Sequence, residues 1–416
     1  MKSDSDEFDD FNVQTSYIEK GFTNSKTFTC AKVKQLLKTG VNAGDLAPDD
    51  IDIVATLGDA IATGLGLYPV ANVEFRGAVF TTGGDANIDG LPTVSNIISQ
   101  FNPFLKGVSH GMGSVSQLPI HQLSIAEAGA ETDTMISQAR ELIRRLQIMD
   151  ISDATMNLAE EWVMIFMTIG TEELCAKCDE PNTEALKHAL TTLRKGIPKA
   201  FVVIIGPVHV SKNTALTYNL LKPRCSCLSG ISDQKLRDIQ KRWKEAFLML
   251  EEEFNRREYP SFEVLALPSL EISSRNPDQL FIAERPLLNR RGHAYAAKWL
   301  WNRLITGPKY NASRMPLSED AYYCPSLGCP YFRTSKNLRS CSTMTIQEYN
   351  RLMATTPKPE GSATVNPRIQ SMQHYVAWYM VVIVVCSTVS VFILGTVFYC
   401  HGLYETKGRF EHIQGV

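Results

Sequence analysis

One stretch of this chain limits its fate more than any other. The 25 positions from Tyr375 to Tyr399 carry no charged side chain. As a helix rising about 1.5 Å per residue they would extend roughly 37 Å, enough to cross a bilayer with some tilt. Tyr375, Trp378 and Tyr399 sit near the ends, where amphipathic rings favour the membrane interface. A buried core helix is the competing reading, but core helices are seldom so long and so uniformly apolar. A membrane span over 374–400 is therefore expected, followed by a short tail at 401–416.

The flanks do not orient the span. Lys358 and Arg368 precede it while Lys407 and Arg409 follow it, so the positive-inside comparison is a tie. The opening MKSDSDEFDDFNV is acidic and lacks the basic and apolar regions of a signal peptide. Either targeting rests on the span alone, or a leader precedes the residues given. Between 346 and 373 the Pro-, Ser- and Thr-containing stretch TTPKPEGSATV has no apolar period and reads as a stalk.

Upstream of the stalk the pattern is that of a folded domain over 25–345, preceded by an acidic segment at 1–24. Short apolar runs at Ile51–Leu57, Leu118–Ile125, Trp162–Ile169, Ala200–Ile205 and Phe262–Leu267 read as buried parallel strands. Helical spacing lies between them. Ile136, Ala139, Ile143 and Leu146 follow Asp133 as a predicted N-cap, and Leu236, Ile239, Trp243, Phe247, Leu250 and Phe254 form one face after Ser232. A further helix is predicted over Ala294–Ile305. Alternation of this kind argues for an α/β fold with a doubly wound parallel sheet flanked by helices.

Lys and Arg total 42 against 44 Asp and Glu, with no basic cluster, which excludes a nucleic-acid partner on electrostatic grounds. Cys30, Cys175, Cys178, Cys225, Cys227, Cys324, Cys329 and Cys341 precede the span, an even set that suits disulfides in an oxidising compartment. Cys175 with Cys178 and Cys225 with Cys227 raise a zinc cluster as the alternative. The second spacing is too short for the usual knuckle and no histidine stands near, so disulfides are favoured, with no metal and no cofactor expected. Asn311-Ala312-Ser313 is a glycosylation sequon.

The first strand runs into Leu57-Gly58-Asp59-Ala60-Ile61, at the strand end where open α/β sheets bind ligands. Here the chain resembles the GDSL (SGNH) hydrolases, whose Gly-Asp-Ser-Leu follows the first strand and whose serine is the nucleophile. The surrounding segments resemble the membrane-associated phospholipase B pattern in particular. Phe75-Arg76-Gly77, Gly83-Gly84-Asp85-Ala86-Asn87, Leu91-Pro92-Thr93 and Phe101-Asn102-Pro103 follow it. So do Ala128-Gly129-Ala130, Gln138-Ala139-Arg140, Ile169-Gly170, Leu174-Cys175 and Cys324-Pro325-Ser326. The resemblance covers roughly residues 25 to 345.

What it implies is a serine esterase site, which needs a nucleophile, a base, an orienting carboxylate and oxyanion donors. The nucleophile position holds Ala60, whose methyl group cannot attack. Asp59 and Gly84 are retained as tentative substrate-binding positions, with Gly84 matched to an oxyanion amide. The family's Gly-Asn-Asp is replaced by Thr171-Glu172-Glu173, so Glu172 stands where the asparagine donor belongs. Glu284 stands at the aspartate and Leu287 at the catalytic histidine, while His293 matches a later histidine that is not the base. Ser95, Ser109 and Ser124 lie on no strand-to-helix elbow and are not substitute nucleophiles. His110 and His121 read as surface histidines, and Glu172 with Glu173 as a solvated strand end. The expectation is a pseudo-hydrolase anchored in the plasma membrane with its large domain outside, meeting membrane lipids, a lipid or acyl ligand, or a protein partner. An active phospholipase or lysophospholipase on rebuilt residues is the alternative.

Overall fold

The computed structural model describes residues 14–345, apart from positions 19, 33, 35, 36, 69–71, 213–217, 310–321, 327 and 339, together with 382, 385–397 and 399. The chain forms two compact units, 1–350 and 351–416.

The first unit is built on four parallel strands, Ile51–Gly58, Trp162–Thr168, Ala200–Ile205 and Phe262–Leu267, hydrogen-bonded in that order. Every residue of the last three is buried, which is why their sequences are continuous apolar runs rather than alternating ones. A smaller parallel pair, Val208–Ser211 with Leu270–Ser273, continues beyond the third and fourth strands. The helix Met135–Ser152 packs on Thr183–Gly196, and Asp233–Asn255 packs on the fourth strand. The α/β expectation thus stands, with a parallel sheet flanked by helices.

Some local readings need correction. Leu118–Ile125 is not a strand. Pro119 turns the backbone, and the carbonyls of Pro119 and Gln122 both accept from the Arg145 guanidinium at 3.0 Å. Only its end meets the sheet, where the Thr56 amide donates to the Leu123 carbonyl at 2.9 Å. Asp133 lies inside a 3-10 turn, Thr132–Thr134, and its carboxylate accepts from the Asn182 side chain instead of capping a helix. Ser232 does cap Asp233–Asn255, accepting from the Lys235 amide at 3.2 Å. The last helix begins earlier than predicted, at Arg290, because Asn289 accepts from the amides of Arg291 and Gly292.

All eight cysteines before residue 350 are paired: Cys30 with Cys324, Cys175 with Cys225, Cys178 with Cys227, and Cys329 with Cys341. The thiolates a zinc cluster would need are therefore committed to disulfides. Upstream of residue 25, Gln14–Ile18 pairs with Cys341–Thr345, and Phe22 stacks on Tyr322 with ring centroids 5.1 Å apart.

In the second unit, residues 385–397 are helical and exposed. Among the described residues no helix is long and apolar enough to cross a membrane. Of the 27 residues of the expected span 12 fall outside the described residues, and the stalk, the tail and the Asn311 sequon lie outside them altogether.

Candidate functional site

The site grows from the carboxyl end of the first strand. Gly58 takes φ 140°, and a Cβ there would lie 1.8 Å from the Thr168 carbonyl oxygen of the neighbouring strand. Only glycine fits that approach. Gln138 holds the same residue from the other side, its Oε1 accepting from the Gly58 amide at 2.8 Å and its Nε2 donating to the Gly58 carbonyl at 3.0 Å. The strand is thereby turned into a one-turn helix, Ala60–Thr63.

Asp59 caps that turn. One carboxylate oxygen accepts from the Ile61 amide at 3.0 Å, and the other accepts from the amides of Thr171 at 2.9 Å and Glu172 at 3.3 Å. A single buried carboxylate so joins the ends of two adjacent strands. Burial, and next the nearby Glu172 carboxylate, push its pKa up to about 7 against the three amides that favour the charged form.

Ala60 is fully buried and presents only a methyl group. Its amide, however, is directed at Glu172 Oε2, 3.0 Å away, and the Gly129 amide reaches the same oxygen at 2.6 Å. Two backbone donors from separate loops converge on one oxygen, the arrangement that stabilises an oxyanion during acyl transfer. Here the oxygen belongs to the chain itself.

Glu172 and Glu173 do not end a solvated strand, contrary to expectation. They open the helix Thr171–Lys177, and both carboxylates are engaged. Buried Glu173 accepts from the Thr132 amide at 2.9 Å and hydroxyl at 3.1 Å. Gly84 is not drawn into this cluster. Its amide donates to the Ser109 carbonyl at 2.8 Å and its Cα faces the His110 ring. Gly129 is the glycine whose amide the structure brings to Ala60. The Ala128-Gly129-Ala130 segment held the signal, but sequence alone does not say which glycine amide points inward.

The remaining positions offer no base. Leu287 is buried and packs beneath Gly66, in the loop that leaves the Ala60 turn. Glu284 is exposed on a tight turn at φ 58°. His293 is buried, and its Nδ1 accepts from the Phe80 amide at 3.3 Å while Nε2 has no partner. Burial pushes its pKa down to about 3, so the ring stays neutral.

The serines fare no better. Ser95 donates to the Gly83 carbonyl, Ser124 accepts from Arg76, and Ser109 is buried without a partner for its hydroxyl. His110 is exposed and pairs with Asp85 at 2.7 Å, while His121 is exposed. Arg76, from another family-like segment, is structural: it pairs with Glu74 at 2.6 Å and donates to the carbonyls of Gly113 and Ser124. Cavities of about 650 and 810 Å³ lie elsewhere, lined by none of Ala60, Gly129, Glu172 or Leu287.

Residues 54–269 match the GDSL-like lipase/acylhydrolase family, a span that includes Asp59, Ala60, Gly129 and Glu172 and stops before Glu284 and Leu287. Three mammalian proteins named membrane-associated phospholipase B1 are similar along the chain. The mouse protein is 30% identical over 351 residues, covering 74% of this chain and 23% of that protein. The rat protein is 25% identical over 79% of this chain and 24% of its own length, and the human one 27% over 75% and 23%. The chain spans about a quarter of the length of these relatives.

Proposed function

The chain belongs to the GDSL-like lipase/acylhydrolase family, and on that footing we propose that it is a phospholipase B-like membrane protein that no longer hydrolyses esters. The observation that carries this reading is the Glu172 carboxylate seated between the Ala60 and Gly129 amides. A substrate carbonyl would need those donors free, and a developing oxyanion beside that carboxylate would be repelled rather than stabilised. The methyl group of Ala60 and the isobutyl group of Leu287 remove the nucleophile and the base as well. Losses at residues that act as a unit are not additive, so restoring one alone does not restore the reaction.

In this reading the domain retains a role in binding, with a lipid or acyl chain or a protein partner as its ligand. It is held at the plasma membrane by 374–400 with the large domain outside. The uncharged run and the four disulfides, which need an oxidising compartment, support that placement. Occupancy of the Asn311 sequon, read as a glycosidase-sensitive mobility shift in cells, tests the topology. An unmodified sequon on an Asn311 that is accessible would count against it.

The competing reading, an active esterase on rebuilt residues, takes its support from the Asp85–His110 pair. The adjacent Ser109 hydroxyl is fully buried and gives that pair no accessible nucleophile. Fluorophosphonate labelling of the 416-residue chain separates the two readings. No labelling and no turnover of lysophospholipid above background is expected, and stoichiometric labelling at any serine overturns the proposal.

A further inference from the structure

A second site stands apart from the Ala60 cluster. Between the Asp233–Asn255 helix, the fourth strand and the Arg290–Thr306 helix lies a cavity of about 650 Å³. Trp243, Leu265 and Trp299 are among its apolar walls, Arg333 lines it with its guanidinium donating to the Cys341 carbonyl, and four further charged groups, Lys244, Glu251, Glu271 and Arg303, line it as well.

These four charges are not paired with one another. Several buried charges of the first unit are joined directly, as in Arg76–Glu74 at 2.6 Å, Arg145–Glu141 at 2.9 Å and Lys336–Glu263 at 2.9 Å, while buried Asp59 and Glu173 are held by amides. No ion pair within 4.0 Å joins any of the cavity's four, although Arg303 lies within electrostatic reach of both glutamates and Lys244 of Glu271. Arg303 Nη1 is buried with no hydrogen-bond partner. Burial raises the Glu251 carboxyl to about 7 and lowers the Arg303 guanidinium to about 10, so the fold bears a cost at both signs of charge. Apolar residues of similar size would fill the space at less cost. Charges held apart around an open volume instead leave room for a ligand group between them.

We propose that this cavity binds a zwitterionic amphiphile, its anionic group at Arg303 and Lys244, its ammonium at Glu251 and Glu271, and its chain along the apolar wall. Acidic and basic groups set around one open volume match a ligand that carries both signs. Indole walls favour an ammonium further, through the attraction of a cation to the ring face. The site shares no residue with the Ala60–Glu172–Gly129 cluster, so its occupancy does not rest on whether the chain hydrolyses esters.

The test uses the 416-residue chain in a maltoside detergent, titrated with octylphosphocholine below its micellar concentration. Tryptophan fluorescence and calorimetry are read together, since Trp243 and Trp299 line the cavity. Saturable binding is expected, with octyl phosphate, octyltrimethylammonium and octyl glucoside each weaker by about tenfold or more, the scale of one lost charged contact. Arg303→Met and Glu271→Gln should each weaken octylphosphocholine by a similar factor. Glu271→Gln also keeps the experiment decisive where Arg303→Met fails to fold, because it removes charge with little change of shape. Equal binding of octyl glucoside, an unchanged affinity in a folded Glu271→Gln variant, or no saturable signal overturns the proposal.

Discussion

The Glu172 carboxylate accepts the Ala60 amide at 3.0 Å, and the Gly129 amide shares the same oxygen. These residues are far apart in the chain, and the pairing exists because Asp59 ties the Thr171 and Glu172 amides to the end of the first strand. The carboxylate is partly exposed and held by two backbone donors. In the proposed reading it is an internal occupant of the oxyanion hole as well as a replacement for an asparagine.

Restoring one group is expected to do nothing. Ala60→Ser should remain inactive on p-nitrophenyl esters, because Leu287 offers no base and Glu172 fills the hole. The triple variant Ala60→Ser, Glu172→Asn, Leu287→His should regain measurable turnover and react with a fluorophosphonate. Activity in the single variant would show that a base already reaches residue 60.

Glu172 also contributes to stability. Glu172→Ala leaves two amides without their acceptor and should lower unfolding free energy by about 2 kcal/mol at neutral pH, within the range for hydrogen bonds to a charged group. Glu172→Gln keeps an acceptor oxygen and should cost less than half as much. Chemical denaturation of the two variants gives the comparison, and equal losses would mean that the amides are satisfied by water.

Stability should fall as pH rises through neutrality in proportion to the buried acids. Glu251 has its pKa raised to about 7, so the folded state holds that proton more tightly than the unfolded state does. The stabilisation it gives is full below the unfolded value near 4.5 and is lost as pH passes through about 7. Glu251→Gln should thus be more stable than the parent at pH 8, by on the order of 2 kcal/mol, and show no gain at pH 4. A gain of the same size at both pH values would refute the assignment.

His293 runs with the opposite sign. Its pKa is lowered to about 3 by burial, so its contribution is full above the unfolded value near 6.5 and disappears as pH falls through about 3. In an NMR titration of the folded chain its ring signals should stay constant from pH 8 to pH 5. A midpoint near 6.5 would place the ring in solvent and reopen its candidacy as a base.

Crosslink removal should follow loop length. Cys30–Cys324 joins residues separated by 294 positions and Cys329–Cys341 by only 12. The chain-entropy argument makes the first worth about 3 kcal/mol more than the second. Unfolding of the two double Cys→Ala variants tests the order, and non-reducing peptide mapping tests the four pairings.

The four core strands were legible because each is an apolar run with charged or turn-forming neighbours, and each is buried on both faces. Leu118–Ile125 has a similar composition but a different fate, decided by a guanidinium from residue 145 that no local pattern announces. Helix Thr171–Lys177 was missed because seven residues give too little period to detect, and with it went the location of Glu172 and Glu173. Ala60, Glu172 and Leu287 drew attention only through the family resemblance, which is what assigns those positions to a nucleophile, an oxyanion donor and a base. Where the Glu172 side chain goes, and that Gly129 rather than Gly84 meets it, depends on how three loops converge.

Asp59 gives the family signature a second meaning. Its carboxylate splices two strand ends together through three amides, a task that the neighbouring side chain does not enter. Gly-Asp therefore serves the fold whatever side chain follows it, since none of the three amide contacts involves the side chain of residue 60. A search keyed on that dipeptide detects carpentry, and whether the workshop still operates has to be read from the residues around it.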